Sequence, residues 1–184
     1  LDGGANTDTA DYSDRTGGVS VNLFNGTGIT GGALNASGFY AGGFTEDSLV
    51  SIENVIGSAF GDRLVGLSAG SRLDGRGGAD NLSGLSGADT LIGGAGNDTL
   101  AGGAGSDTFE FAAGFGADRL TDFVEGAGAG DVIRLVGLGA LFDSFAEVIA
   151  AASQSGADVV FNFGAGNTIT VLNATVAGFA ANDF

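Results

Sequence analysis

Between Gly57 and Glu110 one large apolar residue recurs at every ninth position: Leu64, Leu73, Leu82, Leu91, Leu100 and Phe109. Small or polar residues surround each of them. This pattern fits a very short strand whose middle side chain turns inward. A period held over six units predicts stacked repeats that share one continuous core. Ahead of the array, residues 19–24 and 49–56 read as strands, joined by a Gly-rich loop around residues 25–44. Beyond it, residues 119–123 and 131–135 read as strands. Residues 159–163 and 168–172 read as a hairpin turning at Gly164, Ala165, Gly166 and Asn167. Residues 142–152 form the one helical stretch: Phe145, Val148, Ile149 and Ala152 share a face, and Ser144 with Glu147 makes a capping box.

Two further positions of the nine-residue unit are fixed. The first is Gly57, Gly66, Gly75, Gly84, Gly93 and Gly102; the sixth is Asp62, Asp80, Asp89, Asp98 and Asp107, with Ser71 as the exception. Glycine supplies positive φ and lets backbones approach closely. Two nonapeptides make one full coil, so alternate units stack. Asp62, Asp80 and Asp98 then fall in one column and Asp89 above Asp107 in another. A buried Leu contributes roughly 1.5–3 kcal/mol. Six such residues do not offset the ordering of a Gly-rich chain at roughly 1–2 kcal/mol per residue. Stacked carboxylates add repulsion once partly desolvated.

A hard cation between coils resolves that repulsion. Calcium takes six to eight oxygens, carboxylate or carbonyl, at about 2.3–2.6 Å, whereas magnesium holds its waters and demands strict octahedral geometry. Zinc favours nitrogen and sulfur ligands, and the chain has neither His nor Cys.

Composition narrows the function further. The 184 residues carry 22 acidic and 6 basic side chains, a net charge of −16, with 37 Gly and no Pro. Such a chain repels nucleic acid and anionic membranes and attracts cations. Solubility or a high-salt habitat is the plainer explanation of the charge, but the aspartates are periodic rather than scattered. No apolar run reaches the roughly 20 residues of a membrane span, which argues against membrane insertion, and no N-terminal secretion signal is visible. The chain opens at Leu1 rather than Met, as a piece of a longer protein would. Three regions follow: a lead-in at residues 1–56, opening with a weaker copy of the nonapeptide at residues 3–10; the array at 57–110; and a region at 111–184 that caps the open end of the solenoid.

The nonapeptides resemble the repeats-in-toxin, or haemolysin-type, calcium-binding family. Residues 8–13, 51–57 and 118–123 are similar to the C-terminal β-roll domain of serralysin-like metalloproteases. Residues 156–160, 166–171 and 181–184 resemble the tail recognised by type I secretion systems. The resemblance implies an all-β fold, a parallel β-roll built as a right-handed nonapeptide solenoid, with a mostly β C-terminal cap containing one helix. It implies about five or six calcium ions between coils, each held by carbonyls and two aspartates. Carried over, Ser58, Phe60 and Asp62 pair with Gly75, Gly77 and Asp80. Arg76, Gly78 and Asp80 pair with Gly93, Ala95 and Asp98. Leu85, Gly87 and Asp89 pair with Gly102, Ala104 and Asp107. Asp98 with Gly94 and Gly96 holds an ion at the end of its column, and Gly103, Gly105 and Asp107 share one with Asp118. Asn6, Asp8, Ser51 and Glu53 resemble a separate site joining the lead-in to the roll.

Departures from the motif mark weak points. Ser71 leaves Asp89 as the lone carboxylate of one site, expected to be weak or empty. Arg134 stands where the family often has Asp, which puts a site using Asp131 in doubt. Asp122 reads equally as a ligand or a strand-end surface residue, and Glu46 and Asp47 as solvated loop charges. The leading functional reading is a non-catalytic module of a secreted, extracellular protein, whose partners are calcium and the type I secretion apparatus. Low cytosolic calcium would keep it extended for export, and external calcium would fold it. The alternatives are a self-associating surface-layer or adhesin module, and a polysaccharide-binding accessory module as in the resembled mannuronan epimerases. Without His, and with neither HExxH nor GxSxG, an independent enzyme is the weakest reading.

Overall fold

A computed structural model describes residues 2–24, 27–30, 45–126, 130–138, 142 and 144–184. The strands, in chain order, open with β1 (Thr9–Asp11), β2 (Val19–Asn22), β3 (Thr27–Thr30) and β4 (Thr45–Ser48). The repeats supply β5 (Asn54–Ile56), β6 (Arg63–Val65), β7 (Arg72–Asp74), β8 (Asn81–Ser83), β9 (Thr90–Ile92), β10 (Thr99–Ala101) and β11 (Thr108–Ala112). Beyond them come β12 (Ala117–Leu120), β13 (Val132–Val136), helix α1 (Phe145–Ala150), β14 (Ala152–Ser155), β15 (Asp158–Gly164) and β16 (Asn167–Val171).

Alternate nonapeptides place their strands in opposite sheets. One sheet runs β1-β5-β7-β9-β11-β13; the other runs β14-β15-β16-β12-β10-β8-β6-β2-β3-β4. Within the array every pairing is parallel and offset by two nonapeptides: Leu64 faces Leu82, Leu82 faces Leu100, and Leu73 faces Leu91. Each short strand of the array turns its apolar residue inward, and those six positions are at most 1% exposed. The two sheets close face to face over this spine, as a parallel β-roll. The coil then lengthens beyond two nonapeptides without losing register. Leu100 faces Leu120, and Phe109 faces Ile133.

Antiparallel hairpins flank the parallel ladder of the larger sheet. At one end β2 pairs with β3 and β3 with β4; at the other β14, β15 and β16 form a meander whose last strand joins β12 in parallel. The C-terminal region packs its phenylalanines over the end of the roll. Phe123 stacks on Phe179 at 5.7 Å, and Phe161 meets Phe179 and Phe184 edge-on at 5.1 and 5.5 Å.

Several elements differ from the sequence expectation. Of the strand expected at 49–56, only 54–56 forms, because Val50 instead bridges Asp2. The helix is short, running only from Phe145 to Ala150, with Ser144 capping Glu147 as expected. Ala152 leaves it to pair with Phe161 in β14, a strand not foreseen. Part of the expected Gly-rich loop, residues 27–30, is β3; residues 31–44 lie outside the described residues. Glu46 and Asp47 sit on β4 rather than in a loop, and their side chains are outside the described residues.

Candidate metal centre

The aspartates stack in the two expected columns, through a specific bond. In each coil the N–H of the sixth residue donates to Oδ1 of the matching aspartate one coil later. In the first column Asp62 donates to Asp80 (2.7 Å), Asp80 to Asp98 (2.8 Å) and Asp98 to Asp118 (2.8 Å). In the second, Ser71 donates to Asp89 (2.6 Å), Asp89 to Asp107 (2.8 Å) and Asp107 to Asp131 (2.9 Å). Asp118 therefore belongs with Asp98, not with Asp107 as expected, and the partner of Asp107 is Asp131. The later coils are longer than two nonapeptides, so counting by nines fails there.

These carboxylates lie under the surface, each at most 3% exposed. Oδ1 is bonded throughout, but Oδ2 of Asp80, Asp89, Asp98, Asp107 and Asp118 is buried and accepts no hydrogen bond. A buried carboxylate oxygen without a donor is costly unless a cation meets it. The desolvation is expressed in proton affinity. Burial, reinforced by the neighbouring carboxylates of Asp98, Asp62 and Asp74, pushes Asp80 up to about 9. Burial and then the Asp98 charge push Asp118 to about 8, and burial and then Asp107 push Asp89 to about 6. Burial likewise raises Asp98 and Asp107.

The first glycine of the unit makes room for this oxygen. A Cβ on Gly75, Gly84, Gly93 or Gly102 would overlap Oδ2 of Asp80, Asp89, Asp98 or Asp107. Positive φ falls at other positions. In the last four units the second residue is left-handed: Arg76 (70°), Leu85 (79°), Gly94 (96°) and Gly103 (98°). The turns stack closely enough for main-chain bonds between coils. Ala95 donates to the Arg76 carbonyl at 2.8 Å and Gly78 to that of Ala95 at 2.9 Å. Ala104 and Leu85, and Gly87 and Ala104, repeat the pattern. Gly77 bridges Ala95, and Gly96 bridges Gly116. Each such carbonyl retains a second lone pair. Among the described residues no three acidic side chains converge as a metal cluster. An oxygen site here must draw on main-chain carbonyls, which suits calcium.

The first two units differ. Ser58 and Leu67 do not adopt positive φ. The Ser58 N–H donates to Asp62 Oδ2 (2.6 Å) and its hydroxyl to Asp62 Oδ1 (2.9 Å) and the Phe60 carbonyl (3.3 Å). The Leu67 N–H donates to Ser71 Oγ (2.9 Å). The expected ligands Ser58, Phe60 and Asp62 thus bond to one another, whereas Asp80 opposite them keeps its Oδ2 bare. Burial raises Asp62 too, against the bonds from Ser58 and Val19.

In the lead-in, Asp8 and Glu53 do come together. The Asp8 N–H donates to Glu53 Oε2 (2.8 Å), and the N–H groups of Glu53 and Asn54 donate to the Asp8 carbonyl (3.2 and 3.0 Å). Asp8 Oδ2 is buried without a donor, and Asn6 and Ser51 both take positive φ (117° and 52°). The Asp122 carboxylate accepts the backbone N–H groups of Gly102 (3.0 Å) and Gly103 (2.9 Å). Arg134 turns outward and pairs with Glu110 across the strands at 3.5 Å. No helix among the described residues is long and apolar enough to cross a membrane.

Fold and site together define a parallel β-roll whose turns carry stacked, desolvated carboxylates fitted to an oxygen-seeking cation. Residues 56–91, 74–109 and 83–120 match the family model of the RTX calcium-binding nonapeptide repeat. The array belongs to that repeat family; it is a calcium-binding, non-catalytic element, and proteins that carry it are typically secreted. The extracellular lipase LipA from Serratia marcescens has a similar fold, with a TM-score of 0.55 and 20% sequence identity over 100% of this chain and 33% of that one. The chain thus spans about a third of that lipase. No curated protein sequence matches the chain.

Proposed function

We propose that this chain is the calcium-responsive module of a larger extracellular protein: it folds as calcium binds outside the cell and supports type I secretion. The observation that carries the first half is the row of buried Oδ2 oxygens without donors at Asp80, Asp89, Asp98, Asp107 and Asp118. Calcium supplies the positive charge that lets these carboxylates be both buried and ionised. Arg76, Gly78 and Asp80 with Gly93, Ala95 and Asp98 would hold one ion. Leu85, Gly87 and Asp89 with Gly102, Ala104 and Asp107 would hold another, and Gly94, Gly96 and Asp98 with Asp118 a third. Asn6, Asp8, Ser51 and Glu53 would hold one between lead-in and roll.

Metal binding then supplies folding free energy that the narrow Leu spine lacks. Far-UV circular dichroism in chelator, then in millimolar calcium, tests this. The β spectrum should appear with calcium, and identical spectra would refute it. The secretion role rests on the resemblance of residues 156–160, 166–171 and 181–184 to type I tails. An export assay on the full-length protein lacking residues 111–184 tests it separately; unchanged export would remove that role.

A further inference from the structure

The Oδ2 that is bare at Asp80, Asp89, Asp98, Asp107 and Asp118 is bonded at two of the four column ends, Asp62 and Asp131, while Asp118, the last of its column, keeps it bare. At Asp62 it accepts the Ser58 N–H at 2.6 Å; at Asp131 it accepts the Val124 N–H at 2.9 Å. The other oxygen at each end is bonded as well. Asp62 Oδ1 takes the Val19 N–H (2.6 Å) and the Ser58 hydroxyl, and Asp131 Oδ1 takes the Asp107 N–H (2.9 Å). At the remaining front end, Ser71 offers a hydroxyl that already accepts the Leu67 N–H. Val19 opens β2 and Val124 lies beyond β12, so both donors belong to segments flanking the array.

From this contrast we infer that Asp62, Ser71 and Asp131 are metal-free closures of the two columns. They hold the flanking segments to the array by hydrogen bonds and leave calcium to the aspartates whose Oδ2 is bare. The physical reason is donor supply. At Asp62 and Asp131 both carboxylate oxygens already accept N–H groups, so a cation arriving there must displace protein donors. At Asp80, Asp98 or Asp118 it displaces none at Oδ2. The roll would then hold an ion between Asp80 and Asp98, Asp98 and Asp118, and Asp89 and Asp107, with one more at Asp8 and Glu53. That is fewer than counting repeats implies.

This inference rests on the calcium reading of the interior turns, and the test separates the two. Native mass spectrometry of the calcium-saturated chain counts ions per molecule. D62N and D131N should carry the same number as the unaltered chain, and D98N at least one fewer. Loss of an ion in D62N or D131N overturns the inference. Should either variant fail to fold, anomalous scattering from a calcium-soaked crystal of the unaltered chain decides. Peaks confined to the aspartates with a bare Oδ2 and the Asp8 region support the inference, and a peak within calcium-ligand distance of Asp62 or Asp131 overturns it. A crystal without any calcium peak overturns the calcium reading itself, and the inference falls with it.

Discussion

The N–H of Asp98 meets Oδ1 of Asp118 at 2.8 Å across a coil of 20 residues, the same bond that Asp80 and Asp98 make across 18. The carboxylate column therefore outlasts the nine-residue period. The extra residues are absorbed before Gly116, whose approach to Gly96 is so close that a Cβ there would strike the Gly96 carbonyl. What is kept from coil to coil is the bond and the parallel register, and the count of residues gives way.

Asp118 should accordingly behave as a member of the column. D118N keeps the shape and the Oδ1 acceptor but removes a carboxyl that burial holds at a pKa of about 8. Calcium affinity should fall, roughly tenfold or more on the dependence of oxygen sites on ligand charge. In chelator above that pKa the same variant should instead be more stable than the parent, since a buried charge is gone. Calcium titration followed by calorimetry, and the residual β signal in chelator by circular dichroism, read the two opposite signs.

Protons should partly replace calcium. In the metal-free fold Asp80 titrates at about 9, Asp118 at about 8 and Asp89 at about 6, each raised above the ordinary carboxylate value of 3.8 by burial first. The native state then binds more protons than the unfolded chain from about pH 4 to about pH 9. Stability from these groups is complete below the unfolded value and is lost as pH rises through the folded ones. In chelator, circular dichroism should show more residual β structure at pH 5 than at pH 8. With saturating calcium the trend should flatten or reverse, because acid then competes with the metal. A chelated protein more stable at pH 8 than at pH 5 would contradict this account.

Much of the roll was legible in the sequence because one apolar residue per nine leaves a single way to face the core: Leu64, Leu73, Leu82, Leu91 and Leu100 all point inward as the period demands. The aspartate columns were legible for the same reason up to Asp107. Beyond it, coils of 20 and 24 residues break the arithmetic, so the sequence pairs Asp118 with Asp107, where the column bonds pair Asp118 with Asp98 and Asp107 with Asp131. The closure at Asp62 depends on which way a backbone N–H points, and residue type does not reveal that. Arg76 and Leu85 take the left-handed turn although neither is glycine, while Ser58 and Leu67, at the same position of the unit, do not. A signal was nonetheless present: Ser58 is a hydroxyl residue at the second position of a unit whose sixth is Asp62, and no other repeat pairs a hydroxyl with an aspartate in those two places.

The Leu spine should be costly to cut even with calcium bound. Leu100 is fully buried, between Leu82 on one side and Leu120 on the other. L100A should lower stability by about 2–5 kcal/mol, the range for truncating a buried Leu. The calcium stoichiometry should be unchanged, because the side chain touches the core and not the turns. Chemical denaturation in saturating calcium, paired with an ion count, checks both halves.

Glycine at the first position of the unit should be intolerant of the smallest addition. Gly75 has no positive φ to protect, so backbone freedom does not explain it. The reason is space. A Cβ there would overlap Oδ2 of Asp80 and sit 2.7 Å from the Gly93 carbonyl. Neither neighbour can readily retreat. Asp80 is held at Oδ1 by the Asp62 N–H, and Gly93 follows Ile92, whose carbonyl accepts the Gly75 N–H. G75A should therefore act on the metal site as well as on packing. It should bind fewer calcium ions at saturation, where G114A, at a position open to solvent but of positive φ, should lose stability with its ion count unchanged. Counting ions by native mass spectrometry in the two variants separates crowding of the carboxylate from simple backbone strain. Equal ion counts in G75A and G114A would show that the first glycine serves the turn and not the ion.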